Sequence, residues 1–122
     1  MNSPPATTTT LRFAQALDLV DDPLLIADYE HAHKKIWPSV RDHLRSFGIL
    51  EMEIYRLGTR LFMWVEADPA AYDAAVFAKA SAASPVIQEW EALMAKYQQP
   101  APWALPGEKW TPMQRIFSLL AQ

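Results

Sequence analysis

Residues Leu11 to Val20 alternate: Leu11, Phe13, Gln15, Leu17 and Leu19 fall on one side, and Arg12, Ala14, Ala16, Asp18 and Val20 on the other. Period two over such a run predicts a strand with one buried face. Asp21-Asp22-Pro23 follows, where Asp22 suits an N-cap and Pro23 the first helical position. From Leu24 the apolar spacing changes to three and four, through Leu25 or Ile26, Tyr29, His33, Ile36, Val40, Leu44 and Phe47, which predicts a helix. Pro38 removes a backbone donor and crowds the preceding turn, so the helix should kink or break near Trp37 and resume to Phe47, with Gly48 as its C′ residue.

Alternation returns in Ile49 to Leu57, and a continuous apolar run, Leu61 to Val65, follows the Gly58-Thr59 turn. The pair reads as a β-hairpin. Asp68 can cap a helix across the alanine-rich segment from Ala70 to Ala83. Ser84-Pro85 restarts a helix through Ile87, Trp90, Leu93, Met94 and Tyr97. Gln99 to Lys109 is rich in proline and reads as a loop. Trp110 to Leu119 alternates once more and reads as a last strand, with Pro112 near its start.

The order is β-α-β-β-α-β, a ferredoxin-like α+β sandwich. Helices on one side leave the other sheet face bare. Val20, Leu50, Ile54, Met63 and Ile116 suggest that both faces carry apolar residues. A second copy packed sheet to sheet would cover that surface, giving a homodimer of the dimeric α/β-barrel type.

Composition narrows the function. The 122 residues fit one domain, residues 11–122, after a Pro/Thr-rich tail over 1–10 that reads as disordered. The formal net charge is −3 and no basic cluster stands out, which argues against nucleic acid as a partner. There is no cysteine, so no disulfide or thiolate chemistry is available. No apolar run approaches the ~18–20 residues that span a bilayer. The N-terminus has neither the basic nor the apolar region of a signal peptide. A soluble, cytoplasmic protein with no membrane partner is expected.

The chemistry concentrates in Asp28 to Pro38. On a helix, Tyr29, His33 and Trp37 recur at i, i+4 and i+8, stacking a phenol, an imidazole and an indole on one face. An imidazole titrates near ~6.5 and suits acid/base work at neutral pH. A histidine hydrogen-bonded at a helix–sheet boundary is the plainer reading of His33, and a half-buried core side chain that of Tyr29. His31 lies about 200° around the helix from His33, so the two do not share a ligand. No further ligands stand at metal-binding spacing, and no metal is expected. Trp90 sits between Glu89 and Glu91. An aromatic face beside carboxylates suits the C–H face and hydroxyls of a sugar, although Glu89 and Glu91 also fit a solvated helix face. The three glycines are widely separated, so no phosphate-binding loop is present.

The segment Tyr29-x-x-x-His33-x-x-Ile36-Trp37-Pro38 resembles the L-rhamnose mutarotase family of sugar mutarotases, dimeric α/β-barrel proteins. Glu53-Ile54-Tyr55, Leu61-Phe62 to Glu66, Gln88-Glu89-Trp90 and Ile116-Phe117 with Leu119 agree in order and spacing, so the resemblance spans roughly residues 11–120. It implies His33 as the catalytic acid/base and Tyr29 and Trp90 as substrate-binding residues. It also implies substrate contacts at Glu91, where tryptophan is usual, and at Met52, where tyrosine is usual. These two changes bear on which sugar is used, L-rhamnose, L-fucose or another 6-deoxyhexose, more than on the reaction. The implied reaction interconverts α and β anomers through the open-chain aldehyde, without metal or organic cofactor. The alternatives on the same fold are a heme- or monooxygenase-type protein, with His33 as axial ligand or base, and a non-catalytic sugar-binding protein.

Overall fold

The computed structural model describes residues 9–122; of the tail expected over residues 1–10, residues 1–8 lie outside the described residues. The elements are β1 (Leu11–Leu19), α1 (Pro23–Lys34), α2 (Pro38–Ser46), β2 (Ile49–Leu57), β3 (Arg60–Ala67), α3 (Ala74–Ala83), α4 (Pro85–Ala95), β4 (Gln98–Gln99), β5 (Thr111–Met113) and a closing 3₁₀ turn (Leu119–Ala121). The sheet is antiparallel in the order β2-β3-β1-β4, and β5 also pairs with β1. This is the expected β-α-β-β-α-β arrangement with both helices and the last strand each in two pieces. No helix among the described residues is long and apolar enough to cross a membrane.

Proline and local caps explain the divided helices. Asp22 accepts hydrogen bonds from the backbone N–H groups of Leu24 and Leu25 and starts α1. Lys35 is extended, Trp37 leaves the helical region with φ −57° and ψ 132°, and Pro38 opens α2 as a new helix. The break therefore falls where expected, but Trp37 leaves the helix, so the three-residue stripe ends at His33. Ser84 caps α4 as expected. Asp68 does not cap α3: it closes a turn through Ala70, and Asp73 caps a helix that begins at Ala74. Gly48 ends α2 with φ +89°, and a Cβ there would lie 2.9 Å from the backbone nitrogen of Tyr72. That position demands glycine on both counts.

The last strand differs most from expectation. Gln98–Gln99 pair with Asp18–Leu19, and Thr111–Met113 pair with Ala14–Ala16. One edge position along β1 is thus filled by two short strands, and the proline-rich segment between them loops out. Arg60 pins this loop, with its guanidinium carbon 5.2 Å from the Trp103 ring and its Nε on the Asp18 carboxylate. Beyond Met113 the chain leaves the sheet, and Ile116 is 92% exposed. The alternation in Gln114–Leu119 reports side chains that border a groove over the open face, not a paired strand.

Alternation on β3 decides the faces. Leu61, Met63, Val65 and Ala67 are buried toward the helices, opposite Leu17, Gln15, Phe13 and Leu11 of β1. A bulge between Ile49 and Glu51 shifts the phase of β2, so that Ile49, Met52 and Ile54 all face the helices and Leu50 is left exposed. The residues expected to make the second face apolar are therefore mostly elsewhere. Ile54 and Met63 belong to the helix side, Leu50 to the bulge, and Val20 and Ile116 lie outside the strands. The open face is made instead by Ala14, Ala16, Tyr55, Phe62, Trp64 and Met113, alternate positions of paired strands.

Candidate active site

Between the helices and the sheet lies a cavity of about 540 Å³, within the range of small-molecule sites. Tyr29, His33, Met52, Trp90 and Glu91 all line it, so the structure brings together the five side chains that the resemblance implies as site residues, whereas Trp37 and Glu89 do not line it. His31 is exposed on the outer side of α1, as its position in the helix requires.

His33 is fixed by its own helix. Its Nδ1 lies 2.7 Å from the carbonyl oxygen of Tyr29. A carbonyl only accepts, so Nδ1 carries the proton, and in the neutral ring Nε2 is left with its lone pair. The same contact exists because the two residues are four apart. The rings of Tyr29 and His33 are 4.3 Å apart, and Trp90 meets the His33 ring edge-on at 5.6 Å. Trp37, though off the helix, packs edge-on against Trp90 at 5.2 Å and holds that ring in place. Trp37 thus packs against the core through α4 instead of through the helical stripe.

Tyr29 is only 3% exposed. Burial pushes its hydroxyl up to about 12; the nearby negative charge of Glu91 adds to the rise, and a hydrogen bond with Gln98 opposes it. At neutral pH it is a protonated donor. The Oε1 of Gln98, also in the cavity wall, is buried and has no hydrogen-bond partner among the described residues. A buried amide oxygen left unpaired costs about 1–3 kcal/mol, and a ligand hydroxyl would remove that cost.

Glu91 is less free than the sequence suggests. Its carboxylate is 3.1 Å from Lys109 Nζ at the end of the looped-out segment. It ties α4 to that loop while bordering the cavity. Sequence reasoning passed over Gln98, Gln15, Trp110 and His43, which line the same space. Gln15 faces inward on β1 and donates to the Met63 sulfur at 3.1 Å. Its place in an otherwise apolar register was the available signal. For His43 the signal was its spacing, three residues from Val40 and four from Phe47. Tyr29 and His33 also border a surface groove of about 460 Å³, rimmed by the Arg56–Glu30 ion pair. Among the described residues, no group of three or more His, Asp or Glu side chains is placed to hold a metal ion.

Paired donors and acceptors around an aromatic wall suit proton transfer on a polyhydroxylated ligand, and proteins of that chemistry are among those this chain resembles. Residues 12–119 match the family model for L-rhamnose mutarotase. An L-fucose mutarotase of Xanthomonas campestris pv. campestris is 46% identical over 110 residues, covering 88% of this chain and 87% of that protein. A UPF0734 protein of Dictyostelium discoideum is 43% identical, covering 88% of each chain. Among solved structures, an L-rhamnose mutarotase from Formosa agariphila superposes with a TM-score of 0.67 at 20% identity, over 89% of this chain and 98% of that one. A type-II polyketide cyclase, tetracenomycin F2 cyclase from Streptomyces glaucescens, gives 0.54 at 17% identity, over 88% and 95%. These two show the shared fold.

Proposed function

The chain belongs to the L-rhamnose mutarotase family and is a sugar mutarotase, an isomerase of anomers, and we propose that His33 is its acid/base and L-fucose its preferred sugar. The observation that carries the first part is the Nδ1–H···O=C bond from His33 to Tyr29, which leaves Nε2 as a base on the cavity side chain. Nε2 takes the proton of the anomeric hydroxyl while Tyr29 donates to the ring oxygen. The C1–O5 bond breaks and the open-chain aldehyde forms. After C1 turns its other face, the same groups work in reverse and the ring closes as the other anomer. Proton transfer alone completes the reaction, so no cofactor is required. Trp90 supplies an aromatic wall for the pyranose, Gln98 an unpaired acceptor for a hydroxyl, and Met52 an apolar neighbour for the sugar. Glu91 accepts a hydroxyl with the oxygen that Lys109 leaves free.

The name of the 46% identical relative supports L-fucose over L-rhamnose. Saturation-transfer NMR of α/β exchange tests it. Exchange of L-fucose is expected to be accelerated more than that of L-rhamnose at equal enzyme; faster exchange of L-rhamnose would reject the assignment. The reading includes a homodimer formed through the open sheet face, supported by exposed apolar side chains there such as Met113 (49%) and Tyr55 (55%). A cytoplasmic location, with no nucleic-acid or membrane partner, completes it.

A further inference from the structure

His43 of α2 lies in the wall of the same cavity as His33 and has no part in the proton transfers described above. Its Nε2 is 3.0 Å from the hydroxyl of Ser81 on α3, which also lines the cavity. The imidazole packs against Phe47 at 4.9 Å and Phe77 at 5.6 Å. Ser81 is held in turn, since its carbonyl accepts from the Gln88 side chain at 3.0 Å. Polar groups set among aromatic rings are costly unless they are paired. This pair makes one mutual hydrogen bond among the described residues, leaving further donor and acceptor capacity on both side chains.

We infer that His43, held by Ser81, hydrogen-bonds the C4 hydroxyl of the sugar and so determines which 6-deoxyhexose is used. The inference rests on His33 acting at the anomeric end. C4 is diametrically opposite C1 in a pyranose, and His43 meets Ser81, Phe47 and Phe77, whereas His33 meets Tyr29 and Trp90, so the two imidazoles occupy different parts of the cavity wall and a sugar with C1 at His33 is read as turning its C3–C4 side to His43. L-Fucose and 6-deoxy-L-glucose differ only at C4, axial in the first and equatorial in the second. A site built to hydrogen-bond one orientation leaves its own polar groups unpaired with the other. His43 is then a specificity-determining residue and Ser81 a positioning residue.

The test is saturation-transfer NMR on both sugars with the wild type, His43→Phe, His43→Gln and Ser81→Ala. The wild type should favour L-fucose over 6-deoxy-L-glucose. His43→Phe should lose about tenfold for L-fucose, mainly in KM, and discriminate poorly between the epimers. His43→Gln, which keeps a polar side chain, should retain part of the preference and serves if His43→Phe does not fold. Ser81→Ala should shift KM for L-fucose in the same direction by less, with 6-deoxy-L-glucose unaffected. Undiminished C4 discrimination in the His43 variants, with His33-dependent exchange intact, overturns this inference alone. Absence of any exchange activity in the wild type overturns it together with the reading on which it rests.

Discussion

On the side of the sheet that carries the helices, Leu17, Leu61 and Val65 are almost wholly buried, and beyond them lies the cavity with His33, Tyr29 and Gln98. On the other side, the same strands present Ala14, Ala16, Phe62 and Trp64, bordered by the segment that ends in Leu119 and Leu120. Gln15 and Ala16 are neighbours in the chain and belong to these different surroundings. One face combines a tightly packed floor with a polar cavity, which suits holding catalytic groups in place. The other has apolar area around Phe62 and Trp64, bordered by Glu53, Tyr55 and the Arg12–Glu66 ion pair, which suits a partner.

Two changes sharpen this contrast, the larger first. Leu17→Ala removes a side chain that is 1% exposed and should cost about 2–5 kcal/mol of stability, read from urea unfolding. A loss under about 1 kcal/mol would mean that the floor is loosely packed. On the open face, Trp64→Glu should leave the fold intact and weaken self-association by about 2 kcal/mol, or roughly thirtyfold, read by sedimentation. A wild type that sediments as a monomer at micromolar concentration would remove the open face as a dimer surface.

Much of the frame was legible because each element carries its own period and its own punctuation. Asp22-Pro23, Pro38 and Ser84-Pro85 each open a helix where they stand in the sequence. The bulge at Leu50 was not legible, because one extra residue changes the facing of a strand without changing its composition. Nor was the divided last strand, since Gln98-Gln99 has no apolar pattern and its pairing with Asp18–Leu19 is set by distant residues. In the site, Tyr29 and His33 were legible from their spacing, and Trp90 from its neighbours and the family resemblance. The ion pair of Glu91 with Lys109 joins residues on opposite ends of a proline-rich loop, and only the folded chain brings them together.

The proposed mechanism turns on the lone pair of His33 Nε2, set by the bond from Nδ1 to Tyr29. The most direct measurement is enzyme-dependent α/β exchange of L-fucose by saturation-transfer NMR in His33→Ala, alongside its thermal melt. General acid/base assistance is typically worth ~10²–10⁴-fold. A fall of that size with the melting transition preserved is the predicted result. Exchange within about twofold of the wild type in a folded variant would rule out His33 as the acid/base.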